Sequence, residues 1–427
     1  MINKEQTKMG GKSFSPGYGL PGDVKFCKKC VIPNTRPTAS NEYTHMKRRP
    51  HDYISFDDEG VCSACRFCEA KFDGTIDWKK REEELLELLD KYRSKDGSYD
   101  CLVPGSGGKD SVYASHILKT KYGMHPLTVT WAPHLYTDIG WKNFQNWSHV
   151  AGHDNYLFTP NGKVHRMLTR NAFLNLLHPF QPFILGQKTF AVKMAARFGI
   201  PLVFYGPCPG ENGGNTPITQ NKYIFKDSES ETDNKNGFRM DYVNSSANFD
   251  EIYLGGKKVS DYFREGLTQG DLAPYLPLDT RVIKEKNIGF YFLGYYLKWV
   301  PQECYYYAVQ NAGFEANPAR SEGTYSKYSS LDDKTDGFFY YTTYIKFGYG
   351  RATQDAAQEI RHGHITREEG VALVNRFDGE FPKKYFKEFL DYIDLSESEF
   401  WVKIDEFRDS LLWEKTGQDW KLKYKIT

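Results

Sequence analysis

Residues 102–119 read "LVPGSGGKDSVYASHILK": a short apolar run, a knot of small residues, then a stretch with helical periodicity. Ala114, Ile117, Leu118 and Tyr122 recur at helical spacing, and Gly123 ends the pattern. A strand, a glycine-rich loop and a helix in that order suit an anion. Glycine lets backbone N–H groups approach phosphate oxygens, and the helix N-terminus adds partial positive charge. A Walker A loop needs Gly-x-x-x-x-Gly-Lys followed by Ser or Thr. Here Asp110 follows Lys109, and Val103 stands where the first glycine belongs. Gly-x-Gly-x-x-Gly fails as well, because position 110 is Asp rather than Gly. What remains is Ser106-Gly107-Gly108-Lys109-Asp110-Ser111, in which the serines offer hydroxyl donors, Lys109 a neutralising charge and Asp110 a ligand for Mg2+.

That run resembles the PP-loop, Ser-Gly-Gly-x-Asp-Ser, of the ATP pyrophosphatases. The plainer reading is a serine- and glycine-rich turn capping a helix, but six residues match in the right strand-to-helix setting. The resemblance implies ATP cut between its α and β phosphates, with Mg2+, and a substrate oxygen adenylated. Ammonia, an amine or sulfur then displaces AMP.

Working outward, the rhythm stays strand, loop, helix. "YDCLVP" (99–104), "PLTVTW" (126–131), "NYLFTP" (155–160) and "IPLVFYG" (200–206) read as strands; "GWKNFQNWSHVAG" and "QKTFAVKMAARFG" read as helices. This alternation predicts an α/β fold with a Rossmann-like parallel sheet, which binds ligands at its strands' carboxyl ends. Loops 105–111, 132–139 and 206–215 fall there, and the adenine is expected near Thr130 to Pro133. The chain divides on this reading into a flexible N-terminus (1–24), a cysteine module with a linking helix (25–98), an ATP-binding domain (99–225) and an α+β C-terminal region (226–427). The polar stretch 226–237 reads as a mobile loop.

The bulk numbers are compatible with a soluble enzyme. The chain has 427 residues, 40% hydrophobic and 26% charged, with 16% aromatics concentrated towards the C-terminal half. Its 56 basic and 55 acidic residues leave a net charge of +1, which gives no field to attract nucleic acid. The N-terminus shows no apolar signal segment, and the most apolar run, residues 288–297, is too short to cross a bilayer. A cytoplasmic location is expected, with no membrane partner.

Cys27-x-x-Cys30 and Cys62-x-x-Cys65 are two knuckles of the kind that hold tetrahedral Zn2+ through four thiolates. Cys68 makes a fifth cysteine nearby, which leaves an iron–sulfur cluster as the alternative and a spare thiol as the plainer reading. Cys101 reads as strand packing; Cys208 follows the fourth strand, and Cys304 has no evident partner.

From about residue 25 the whole chain resembles the N-acetyl sugar amidotransferase family of bacterial surface-glycan biosynthesis. The resemblance runs through the knuckles, "YDCLVPGSGGKDS", "PLTVTWAPHLYTDIGWKN", "IPLVFYGPCPGENGG", "EGTYSKYSSLDDKTDGF" and "IKFGYGRATQDAAQEIRHGHITREEG". It implies conversion of a sugar's acetamido group to acetamidino, with ATP, Mg2+ and Zn2+. Ammonia would come from separate glutaminase subunits similar to the histidine-biosynthesis pair, and no cysteine here sits in a glutaminase setting. Beside the loop, Glu211 is a candidate for binding Mg2+ or orienting ammonia. Asp332 and Asp333 are candidates for the metal site, Lys346 and Arg351 for gripping pyrophosphate or a sugar carboxylate, and Tyr325, Tyr328 and Tyr349 for stacking on a sugar. Arg361, His362, His364 and Arg367 read as surface. A tRNA thiolase and a non-catalytic zinc scaffold are the competing readings.

Overall fold

The central strand begins the sheet, because Cys101, Leu102 and Val103 are apolar without a break and buried. Alternate side chains leave opposite faces of a strand. Leu102 therefore joins one core with Leu127, Val129 and Trp131, while Cys101 and Val103 join another with Leu202 and Phe204. A strand covered on both faces needs neighbours on both edges, and parallel sheets meet that need.

The computed structural model describes residues 19–37, 53–213, 249–250, 252–417 and 419–427. The mobile loop expected at 226–237, and the expected flexible N-terminus up to residue 18, lie outside the described residues. The first half runs α1 (Ser63–Phe72), α2 (Trp78–Tyr92), β1 (Cys101–Pro104), α3 (Lys109–Thr120), β2 (Pro126–Trp131), α4 (Asp138–His149), β3 (Asn155–Phe158), α5 (Gly162–Leu176), α6 (Gln181–Phe198) and β4 (Leu202–Tyr205). A short ribbon, β5 (Tyr253–Leu254) and β6 (Lys257–Lys258), leads to α7 (Val259–Arg264), α8 (Gln269–Leu272), α9 (Thr280–Glu285), β7 (Gly289–Phe292) and α10 (Leu293–Tyr296). Helices α11 (Pro301–Ala312), α12 (Asp336–Phe347), α13 (Arg351–Arg361), α14 (Arg367–Phe377), α15 (Phe386–Ile393) and α16 (Glu397–Glu406) follow, then the antiparallel pair β8 (Trp413–Thr416) and β9 (Asp419–Leu422).

The main sheet has the order β3-β2-β1-β4-β7, parallel throughout. The α/β fold expected from the alternation is what forms. Its fifth strand comes from Gly289–Phe292, beyond the 99–225 stretch. The chain steps outward from β1 to β3, then crosses back to place β4 on β1's other edge. That reversal opens a crevice between the loops after β1 and β4, the usual ligand position in such sheets.

Helix α5, absent from the sequence reading, buries Val164, Leu168, Ala172, Phe173 and Leu176. Phe173 and Leu177 share a core with Phe338, Ile345, Phe389 and Phe400, so the C-terminal helices pack on α5. The cysteine module has its own core, in which Cys27, Val31, Ile54 and Ala64 meet Ala356, Ala357, Val374 and Ile426.

Candidate active site

The loop after β1 is shaped by close packing at two glycines. Gly107 has φ 82, and a Cβ there would lie 2.8 Å from the Phe144 Cα and 2.9 Å from the Asn143 carbonyl oxygen on α4. At Gly105 a Cβ would fall 2.1 Å from that of Ser111. Gly108 caps α3, and the Ser111 hydroxyl donates back to its carbonyl at 2.9 Å. The Lys109 ammonium sits 2.5 Å from Asp110 Oδ2, and the Trp299 indole N–H donates to Asp110 Oδ1 at 3.3 Å.

This loop forms one side of a cavity of about 160 Å3. Ser106 to Asp110, with Gly140 and Asn143 of α4, face Tyr328, Ser329, Ser330, Asp332 and Arg351 across it. The two sides are fastened at several points. Asn143 and Glu315 exchange hydrogen bonds of 2.9 and 2.8 Å. Thr137 N–H donates to the Asp332 carbonyl at 3.2 Å, and its hydroxyl donates to the Leu331 carbonyl. A Cβ on Gly140 would sit 2.4 Å from the Asp332 Cα, so only glycine allows this approach.

Asp333 makes the strongest clamp. Its Oδ2 accepts from His134 N–H at 2.7 Å and lies 3.0 Å from His134 Nδ1. Its Oδ1 accepts from Leu135 N–H at 3.4 Å and from both the N–H and the hydroxyl of Thr335 at 2.9 Å. Burial opposes the charge, but His134 and Thr335 outweigh it and hold the carboxyl below its ordinary value. Asp333 is thus spent on structure, which removes it from the candidate metal ligands.

Asp332 lines the cavity with Ser106 of the loop, and burial pushes its carboxyl up. Asp336 is pushed up to about 7 by burial. Arg351 donates to Asp355 Oδ1 at 3.0 Å and to the Tyr340 hydroxyl; burial works against its charge, but these neighbours hold it above its ordinary value.

Of the residues singled out from sequence, Ser106, Gly107, Gly108, Lys109, Asp110, Tyr328, Asp332 and Arg351 line this cavity together. Others lie elsewhere. Thr130 is buried, with its hydroxyl accepting from Asn155 Nδ2 of the neighbouring strand at 3.0 Å, and it is not among the residues that line the loop cavity. Lys346 lies on the inner face of α12. It donates to the Leu176 carbonyl at 2.9 Å, satisfying the C-terminus of α5 rather than a ligand, and burial lowers it to about 7. Tyr325 donates to Glu359 at 3.1 Å and packs against Phe377, while Tyr349 is a core residue. Glu211 is buried, with Oε2 accepting from Lys71 Nζ at 2.7 Å, and it is not among the residues that line the loop cavity where its metal or ammonia role was expected. The cluster read as surface is partly internal: Arg361 donates to the Glu211 carbonyl at 3.1 Å, and His362 is half-buried against Lys71. Cys101, Cys208 and Cys304 are buried thiols whose acidity burial weakens. Asn143, Phe314 and Trp299 escaped the sequence reading, since nothing local distinguishes them from packing residues.

The four knuckle cysteines come together. Cys27 and Cys65 sulfurs lie 3.8 Å apart, as do those of Cys30 and Cys62, and all four fall within 4.8 Å of one another. A Zn–S bond of about 2.3 Å gives a tetrahedral S···S edge of about 3.8 Å, so the spacing fits a tetrahedral ion and is too long for disulfides. Backbone N–H groups of Cys30 and Cys62 donate to the Cys27 sulfur at 3.4 and 3.3 Å. Contacts to its three partners pull the Cys27 thiol far down, while contact with Cys27 pushes Cys65 up. Cys68 stands apart, donating to the Arg361 carbonyl at 3.1 Å.

Residues 322–427 match the family model described as LPS biosynthesis protein WbpG-like, C-terminal domain. This stretch supplies Tyr328, Ser329, Ser330, Asp332 and Arg351, the wall opposite the loop. An uncharacterized protein of Methanocaldococcus jannaschii is 34% identical over 76 residues, 18% of this chain and 26% of that protein. The chain thus spans about a quarter of that relative's length. Among solved structures, the NH3-dependent NAD synthetase from Campylobacter jejuni, in complex with the nitrate ion, is similar at 12% identity and a TM-score of 0.25. The match covers 31% of this chain and 58% of that one. Among the described residues, no helix is long and apolar enough to cross a membrane.

Proposed function

We propose that this chain is an ATP-dependent, AMP- and pyrophosphate-forming carbon–nitrogen ligase of bacterial surface-glycan biosynthesis, acting in the cytoplasm. In this reading it turns the acetamido group of an N-acetyl sugar into acetamidino. The observation that carries the proposal is the cavity itself. A Ser-Gly-Gly-Lys-Asp-Ser loop after a central parallel strand faces hydroxyl and guanidinium groups from the WbpG-like region.

Ser106, Gly107, Gly108 and Lys109 would hold the ATP phosphates, with Ser111 bracing the loop through the Gly108 carbonyl, and Asp110 would hold Mg2+, which would neutralise charge on the departing pyrophosphate. Tyr328, Ser329, Ser330 and Arg351 would take the sugar. An amide oxygen is a poor leaving group. When it attacks the α-phosphorus, an O–P bond forms, the α–β bridging bond breaks and pyrophosphate leaves. Ammonia then adds to the activated carbon, the C–O bond breaks with its electron pair on AMP, and loss of a proton gives the amidine. Reactive ammonia is uncharged and easily lost to water, which favours delivery by separate glutaminase subunits. Zn2+ on the four cysteines would be structural, because a closed thiolate shell leaves no position for substrate.

Incubation with ATP, ammonium and candidate N-acetyl sugars, read by mass spectrometry, tests this. The expected result is AMP together with a sugar in which one oxygen has become NH. ADP as product, or AMP with no change in any sugar, would refute it.

A further inference from the structure

Lys71, in the last turn of α1, reaches out of the cysteine module into the core behind the loop. It is 1% exposed, and a buried ammonium needs all its protons bonded. They are: the ammonium donates to Glu211 Oε2 at 2.7 Å, to the Trp299 carbonyl at 2.8 Å and to His362 Nε2 at 3.1 Å. His362 can accept because its Nδ1–H is committed to the Gln358 carbonyl at 2.8 Å. One side chain thereby ties α1 to the loop after β4, the segment before α11 and the end of α13.

Trp299 continues the line. Its carbonyl is held by Lys71, and its indole N–H donates to Asp110 Oδ1 at 3.3 Å. The ring is boxed in, edge-on to Tyr113 with centroids 5.0 Å apart, and 3.1 Å from where a Cβ of Gly206 would stand. Among the described residues lining the loop cavity, none belongs to the cysteine module. We infer that Lys71 is a positioning residue through which the cysteine module, by way of Trp299, sets the orientation of Asp110. The inference rests on the reading of this loop as the ATP site. It makes an intact module a condition for adenylation as well as for folding.

Lys71→Met alone strands the Glu211 carboxylate in the core and will melt early for that reason. Lys71→Met combined with Glu211→Gln removes both charges and should recover most of the melting temperature. Glu211→Gln alone keeps the Lys71 bond to the Trp299 carbonyl. The readouts are the indole N–H resonance of Trp299, assigned by its loss in Trp299→Phe, the affinity for Mg2+·ATP, and AMP formation. The double variant is expected to shift the resonance, bind ATP within about threefold of the parent and form AMP about tenfold more slowly, while Glu211→Gln keeps parental resonance and rate. A parental AMP rate in the double variant overturns the inference, and so does an equal loss in Glu211→Gln alone. If the parent forms no AMP with any sugar, the ATP reading has failed; an unshifted resonance would then separately refute the hold of Lys71 on Trp299.

Discussion

Replacing Asp333 by Asn keeps the shape of the clamp and removes its charge. The carboxylate serves five donors, two from His134 on Oδ2 and three from Leu135 and Thr335 on Oδ1. An amide oxygen can serve one set only, and the NH2 group then faces donors on the other side. Losing two bonds to a buried charged acceptor, at about 1.5–3 kcal/mol each and partly recovered by a tautomer change at His134, gives a destabilisation of about 3 kcal/mol at neutral pH. The pH dependence has a definite sign. The folded carboxyl sits below its ordinary value, so its stabilisation is present above the unfolded pKa of about 3.9 and is lost as pH falls through the folded one. Parent and variant should therefore differ at pH 7 and converge below about pH 4. Urea titrations across that range measure it. Equal stability at pH 7, or a gap that persists unchanged into acid, would refute the clamp.

Four further outcomes are expected. Gly107→Ala puts a methyl against the α4 backbone at φ 82, so ATP affinity measured by calorimetry should fall more than tenfold while secondary structure by circular dichroism is retained. Asp110→Ala should abolish AMP formation and leave the melting temperature close to the parent's; AMP at the parental rate would show that the loop is misread. Metal analysis should find one zinc per chain, lost in Cys65→Ser along with several kcal/mol of stability, about the scale of structural zinc sites. Lys346 is depressed by burial to about 7, so the unfolded chain binds the extra proton and stability should rise with pH between about 7 and 10. Lys346→Met should lessen that rise, Lys193, also lowered by burial to about 7, keeping the remainder, and an unchanged slope would place the proton elsewhere.

Legibility followed the range of the interactions. Strands such as Pro126–Trp131 declare themselves because a buried parallel strand must be apolar along its length, and the loop declares itself because its close packing at Gly105 and Gly107 needs small residues in a fixed order. The knuckles were readable for a similar reason, since each supplies two ligands within one turn. Arg351 was found through its glycine-bent setting, but Lys346, five residues earlier, was not separable from it by type. Only the packing of α12 on α5 turns Lys346 inward to the Leu176 carbonyl. Glu211 was visible at a strand end, while its partner Lys71 lies 140 residues away and carries no local signature. Thr130 sits at the expected strand terminus, yet the side it faces depends on Asn155 of the neighbouring strand.

The cysteine module's core contains residues from both extremes of the described chain, with Cys27 and Val31 in one cluster with Ala356, Val374 and Ile426. A ribosome makes the first of these long before the last. During synthesis the sulfurs can meet a metal as soon as residue 65 emerges, but their apolar surroundings stay open until the final helices and tail arrive. The four sulfurs are thus made early and enclosed late. A chain stopped short of residue 426 would leave one edge of the four-sulfur cluster facing water, where chelators and oxidants could reach it. Truncation at the far end should accordingly be felt first at the near end, as faster loss of metal.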